Sequence, residues 1–134
     1  MDKAAGIVLY NKKKEILLQL RDSNPKFNPN KWSFFGGKFN DGETAKECIL
    51  RECKEEINYE LRNPKLRYEY YEKIQNAYLH LFIEEFDESQ KMIIKLQEGA
   101  DWRWFTIEQA KKLDYGTLTN ANIKMLSMIE KEIK

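Results

Sequence analysis

Gly36-Gly37-Lys38-Phe39-Asn40-Asp41-Gly42-Glu43-Thr44-Ala45-Lys46-Glu47-Cys48-Ile49-Leu50-Arg51-Glu52-Cys53-Lys54-Glu55-Glu56-Ile57 is the stretch that decides the fold. Thr44 followed three residues later by Glu47 has the capping-box pattern, which opens a helix. The helix is expected to run to about Ile57, where Asn58 is able to take the left-handed conformation that ends one. At about 100° per residue, Glu52 and Glu56 fall on the same side of the helix as Ala45 and Ile49. Glu55 lies to one flank, near Cys48, while Glu47, Arg51 and Lys54 lie toward the other side.

The acids therefore sit on or beside the apolar stripe rather than on a solvated face. A carboxylate turned toward a protein interior is costly unless its charge is offset. Clustered carboxylates also repel one another. A divalent cation such as Mg²⁺ or Mn²⁺ resolves both problems, because it prefers hard oxygen ligands. Glu52, Glu55 and Glu56 are spaced to reach one site. Gly36-Gly37 lets backbone come close to a metal or phosphate, and a carbonyl there is a further candidate ligand.

Working outward, the segment before the glycines, Trp32 to Phe35, is short and apolar. Ala4 to Tyr10 and Glu15 to Arg21 read as strands joined by the polar turn 11–14, together a hairpin. Asp22 to Lys31, with two prolines and three asparagines, reads as a loop. Beyond the helix, Leu66 to Tyr71 and Ala77 to Phe86 read as strands. Leu79, Leu81 and Ile83 share one face of the second, with Tyr78, His80 and Phe82 on the other. Met92 to Leu96 and Trp102 to Phe105 are candidate short strands. Thr106 opens a helix through Lys112. A last helix spans Asn120 to Ile133, with Ile123, Leu126, Met128, Ile129 and Ile133 as its expected buried stripe. This order predicts a mixed β-sheet between helices, an α+β fold of α/β/α sandwich type.

With 134 residues, one domain over 1–134 is the expected organisation. The 42% hydrophobic share is enough for a modest core. Charge is nearly balanced, 23 basic against 22 acidic residues, so no global basic field argues for a nucleic-acid partner. Cys48 and Cys53 lie on different sides of one helix, which argues against a disulfide between them. No run approaches the roughly 18 apolar residues of a membrane span, and the first residues lack a signal-peptide core. A cytoplasmic protein without a membrane partner is expected.

The quoted segment resembles the Nudix box, G-x5-E-x7-R-E-U-x-E-E-x-G-U, where U is a bulky aliphatic residue. Gly37, Glu43, Arg51, Glu52, Glu55 and Glu56 match at the required spacing. Cys53, Asn58 and Tyr59 depart from it. Cysteine packs as a small hydrophobe, asparagine is the next-best left-handed residue after glycine, and none of the three touches the acids. The early strands, the aromatic segment before the glycines and the stretch 98–105 also look like Nudix elements. The resemblance implies a MutT-like Nudix hydrolase, with the box as loop–helix–loop against a mixed sheet.

It further implies Glu52 and Glu56 as principal metal ligands, and Glu55 as a further ligand or the base that orients water. Glu98 resembles a distant acid acting as ligand or base, and the Gly37 carbonyl completes the shell. Glu43 and Arg51 are implied to hold the loop and helix together through an ion pair. Arg21 and Lys38 are candidate phosphate contacts. Phe34 is a candidate to stack a base, and Asn122 resembles a position that reads a purine. His80 reads as a partly buried strand residue rather than a catalytic one. The expected reaction is metal-dependent hydrolysis of a nucleoside triphosphate to monophosphate and diphosphate. Cleavage of a nucleoside diphosphate-linked compound is the alternative, and a non-catalytic nucleotide sensor the reading from another class. A homodimer is left open, since no segment identifies an interface.

Overall fold

The computed structural model describes residues 1–20, 31–94 and 101–133. β1 (Asp2–Tyr10) is the centre of a mixed sheet. Along one edge it pairs in parallel with β6 (Ala77–Glu85), from Asp2↔Ala77 through Tyr10↔Glu85. Its other edge takes β4 (Phe35–Lys38) antiparallel, with Gly6 opposite Gly36 and Ala5 opposite Gly37. β2 (Glu15–Leu20) pairs with β3 (Trp32–Ser33) on one side and β7 (Asp101–Thr106) on the other. β5 (Lys65–Glu72) runs antiparallel to β6.

The expected β1–β2 hairpin exists only at its base, where Tyr10 faces Ile16. Asn11 closes the turn: its side-chain oxygen accepts from the Lys13 and Glu15 N–H groups. Beyond that point β1 pairs with β4 while β2 pairs with β3. The segment containing the glycine pair is thereby carried into the sheet.

Strand pleat divides the core in two. Ile7, Leu9, Leu17, Phe35 and Phe82 face α1 (Ala45–Ile57), meeting Cys48, Ile49, Cys53 and Ile57. Val8, Ile16, Leu18, Phe34, Leu81 and Ile83 face the opposite layer. That layer holds α2 (Ile107–Ala110) and α3 (Thr119–Glu132), with Tyr115 from the segment between them. Alternate residues of one strand thus feed separate cores, as the period of two requires. The result is the expected helix–sheet–helix sandwich.

Helix α1 forms for the reasons its sequence gives. The Thr44 side chain accepts from the Glu47 N–H at 3.1 Å, and the Glu47 carboxylate accepts from the Thr44 N–H at 2.9 Å. Asn58 ends the helix at φ 53°, ψ 40°. Tyr59, where the box has an aliphatic, is fully buried against Phe86, and its hydroxyl accepts the Asp87 N–H at 2.7 Å. Both cysteines are free and buried.

Three expectations are corrected. α2 stops at Ala110 rather than Lys112, because the chain tightens into a turn at 111–112, where the Lys112 N–H donates to the Gln109 carbonyl at 3.1 Å. Residues 92–94 form no strand, and the remainder of that segment, Lys95 and Leu96, lies outside the described residues. In α3, Met128 is exposed, while Ala121, Asn122 and Met125 join Leu126 and Ile129 in the buried face. Ile123, also expected in the stripe, is only half-buried, while Ile133 is buried as expected. Among the described residues, no helix is long and apolar enough to cross a membrane.

Candidate active site

The sheet and α1 meet at the glycine pair. Gly36 has φ 153°, a conformation that side chains rarely adopt. Its N–H donates to Glu56 Oε1 at 2.9 Å. A Cβ placed on Gly37 would lie 2.6–2.7 Å from the Glu52 carboxylate atoms. Both acids therefore stand directly against the glycine backbone, one helical turn apart, and glycine is the only residue that permits it at 37. The Cys48 thiol donates to the Gly37 carbonyl at 3.4 Å, and burial pushes that thiol up to about 11.

Arg51 ties the box together. Its Nε and Nη2 donate to the two oxygens of Glu43 at 2.6 and 2.9 Å. Nη1 donates to Glu52 at 2.8 Å and to Glu55 at 3.2 Å, and Nη2 also reaches the Lys38 carbonyl at 3.0 Å. Glu43 in turn accepts from the Asn40 N–H at 2.7 Å. These bonds hold the Glu43 carboxyl down at about 2, with Arg51 as the main cause. The guanidinium is correspondingly raised, chiefly by Glu43. The Glu43–Arg51 ion pair that the motif implies is present.

Glu55 stands on the flank of the apolar stripe, with 57% of its side chain exposed. One detail differs from the helical-wheel expectation: Arg51 does not lie away from the acids but bridges Glu52 and Glu55. A residue four positions before Glu55 is its neighbour on the helix surface, and the long guanidinium spans the angular gap.

Among the described residues, the acids are not drawn into one group of three that would hold a metal as they stand. Glu52 and Glu55 share Arg51, Glu56 accepts the Gly36 N–H, and Glu98 lies outside the described residues. The donor chemistry nonetheless fits a hard divalent cation: Glu52, Glu56 and the Gly37 carbonyl are all oxygen donors beside a backbone stripped of side chain. The sequence finds every one of these groups.

Substrate-contact expectations fare unevenly. Arg21 lies outside the described residues. Lys38 is largely exposed, with Nζ 3.2 Å from Asp2. Phe34 is buried against Tyr115, with ring centroids 6.1 Å apart. Phe34 and Asn122 do come together. They line a cavity of about 150 Å³ with Gly6, Leu79, Leu81 and Leu118, and the cavity reaches the Gly36-Gly37 backbone. Asn122 is only 2% exposed. Sequence reasoning missed Ser33, which lines the same cavity and has a buried hydroxyl without a hydrogen-bond partner among the described residues. It also missed Gly6; an isolated glycine inside a strand pattern was the available signal. His80 is half-buried between Phe39 and Tyr78, and its Nδ1 lies 3.3 Å from the Ala4 carbonyl.

Comparison with known proteins now has a geometry to rest on. The family model described as NUDIX domain matches residues 2–126. The chain belongs to the Nudix family, whose members are generally divalent-metal dependent. It is 31% identical, over 106 residues, to the NAD-capped RNA hydrolase NudC of Chromobacterium violaceum. That match covers 78% of this chain and 38% of the relative, so the chain spans about two fifths of that protein's length. Among solved structures it resembles a MutT protein from Methanosarcina mazei Go1, with TM-score 0.72, 22% identity and coverage of 99% and 95% of the two chains. It also resembles the C. elegans Ap4A hydrolase, with TM-score 0.72, 21% identity and coverage of 100% and 99%. These two likenesses establish the fold.

Proposed function

We propose that this chain is a Nudix pyrophosphohydrolase that cleaves a nucleoside triphosphate to a monophosphate and diphosphate with Mg²⁺ or Mn²⁺. The carrying observation is the contact of Glu52 and Glu56 with the Gly36-Gly37 backbone, because it sets two carboxylates and a carbonyl where a phosphate chain needs its charge neutralised. Glu52, Glu56 and the Gly37 carbonyl would hold the cation, with Glu55 and Glu98 as further ligands. Bound there, it would neutralise phosphate oxygens, lower the cost of charge at the leaving oxygen and ease deprotonation of water.

The chain's own groups do the rest. Glu55 has the most exposed side chain of the three acids bound to Arg51, and its bond to Arg51 is longer than that of Glu52. It is therefore the acid best able to accept or steer a proton from attacking water, with Glu98 as the other candidate base. Glu43 and Arg51 keep the loop and helix in register, so that Glu52 stays against Gly37. Lys38 and Arg21 meet phosphate oxygens. Phe34 and Asn122 bound the cavity that accepts the nucleobase, Asn122 offering its amide to the base edge. Catalysis then rests on positioning and electrostatics, as phosphoryl transfer generally does.

Cleavage of a nucleoside diphosphate-linked compound is the second reading, favoured by the name of the relative that acts on NAD-capped RNA. One assay separates them. Purified protein with Mg²⁺ or Mn²⁺ is given nucleoside triphosphates, sugar nucleotides, ADP-ribose and dinucleoside polyphosphates, with Glu56→Gln as control. Diphosphate release from triphosphates, lost in the control, supports the first reading. Monophosphate products from the linked compounds alone support the second. Nucleotide binding without turnover on any substrate would make the protein a sensor.

A further inference from the structure

The cavity beside the glycine pair has one wall without a side chain. Gly6 lies in the middle of β1, and a Cβ built on it would stand 2.9 Å from Leu81 Cδ2, 3.6 Å from the Phe35 carbonyl and 3.7 Å from Phe34 Cβ. Its backbone does not need glycine, because Gly6 is absent from the positive-φ residues. Strand propensity does not favour it either, since glycine in a strand interior is less stable than alanine. Space is the remaining reason.

That space is the cavity, because Gly6, Phe34 and Leu81 all line it. Leu81 is 5% exposed and packed into the α3-side core. A close-packed core gives a displaced methyl little room. A methyl on residue 6 would thus either occupy the cavity or push the end of Leu81 into it. We infer that Gly6 is a specificity-determining residue: it keeps a slot open in which a flat heterocycle lies between Phe34 and Leu81 with its edge toward Asn122, while the phosphates pass Gly36-Gly37. This rests on the nucleotide reading above, but its test needs no turnover.

The test is calorimetric binding of the four common nucleoside monophosphates and of ribose 5-phosphate, which has no base, to wild type and Gly6→Ala. Gly6→Ala should fold with a Tm within a few degrees of wild type, the cavity taking up the displaced methyl. It should bind its best nucleoside monophosphate about 10-fold or more weakly, the scale of one methyl group in a fitted pocket, and ribose 5-phosphate as before. Adding Leu81→Val, which removes the crowding methyl, should restore much of the affinity. Should Gly6→Ala fail to fold, Leu118→Phe narrows the same cavity from another wall and should show the same selective loss. Unchanged nucleotide binding in a folded variant, an equal loss for ribose 5-phosphate, or no nucleotide binding by wild type would each overturn the inference. Wild type that binds nucleotides selectively but hydrolyses none would sink the hydrolase reading and leave this one standing.

Discussion

The carboxylate of Glu52 occupies the place where a side chain on Gly37 would begin, 2.6–2.7 Å from an added Cβ. The carboxylate is the far end of a flexible side chain, so a methyl there would move Glu52 rather than unfold the protein. Gly37→Ala is accordingly expected to keep its Tm within a few degrees and lose at least about 100-fold in kcat/KM, the scale of a 1 Å misplacement. Paired thermal melts and kinetics check it; normal kinetics would mean that Glu52 works from elsewhere.

Substituting the acids should separate their duties. Glu52→Gln and Glu56→Gln should each weaken Mn²⁺ binding and lower turnover by orders of magnitude with the fold intact. Glu55→Gln should reduce kcat more than it reduces Mn²⁺ affinity. Manganese titration followed by electron paramagnetic resonance, alongside kinetics, reads both. Chelation by EDTA should abolish activity reversibly. Near-normal turnover in both Glu52→Gln and Glu56→Gln would remove the ligand assignment.

Acid stability should report the Glu43–Arg51 pair. The folded protein holds Glu43 at about 2, below its ordinary 4.5. A depressed carboxyl pKa stabilises the fold fully above the unfolded value and loses that contribution as pH falls through the folded one. The Tm advantage of wild type over Glu43→Gln should therefore be complete above about pH 5 and shrink between about 4.5 and 2. A difference that stays constant over that window would show that the pair does not control Glu43.

Asn58 and Tyr59, two departures from the motif, should answer differently to substitution. With φ at 53°, Asn58→Gly should change stability by under about 0.5 kcal/mol, whereas Asn58→Val should cost about 1–2 kcal/mol. Tyr59→Phe leaves the Asp87 N–H without its partner and should cost about 1–2 kcal/mol. Urea denaturation measures all three, with turnover expected near wild type in Asn58→Gly.

Local chemistry accounts for what was legible in the chain. The capping box, the left-handed Asn58, the Glu43–Arg51 pair and the turn of Glu52 and Glu56 toward the glycines all follow from spacing within one segment. What escaped depends on distant partners. Nothing near residues 4–20 indicates that the β1–β2 hairpin gives way to pairing with β4, because that is decided by residues 32–38. Met128 and Met125 are equally apolar in sequence, and only the face that α3 turns to the core selects Met125 for burial. The cavity was half legible: Phe34 and Asn122 were named separately, but Gly6 and Ser33 acquire meaning only when β1, β3 and α3 meet.

The parallel pairing of β1 with β6 has a consequence for how the protein comes into being. Asp2 to Tyr10 find their partners about 75 residues further along the chain. Pairing at such long range slows folding, because the intervening loop must be closed first. During synthesis α1 is free to form as soon as its own residues emerge, but Gly6 meets Leu81 only after β6 has left the ribosome. The residues of α1 have thus all emerged before β6 completes the cavity, and for much of its synthesis the nascent chain carries the box carboxylates without the wall that Leu81 supplies.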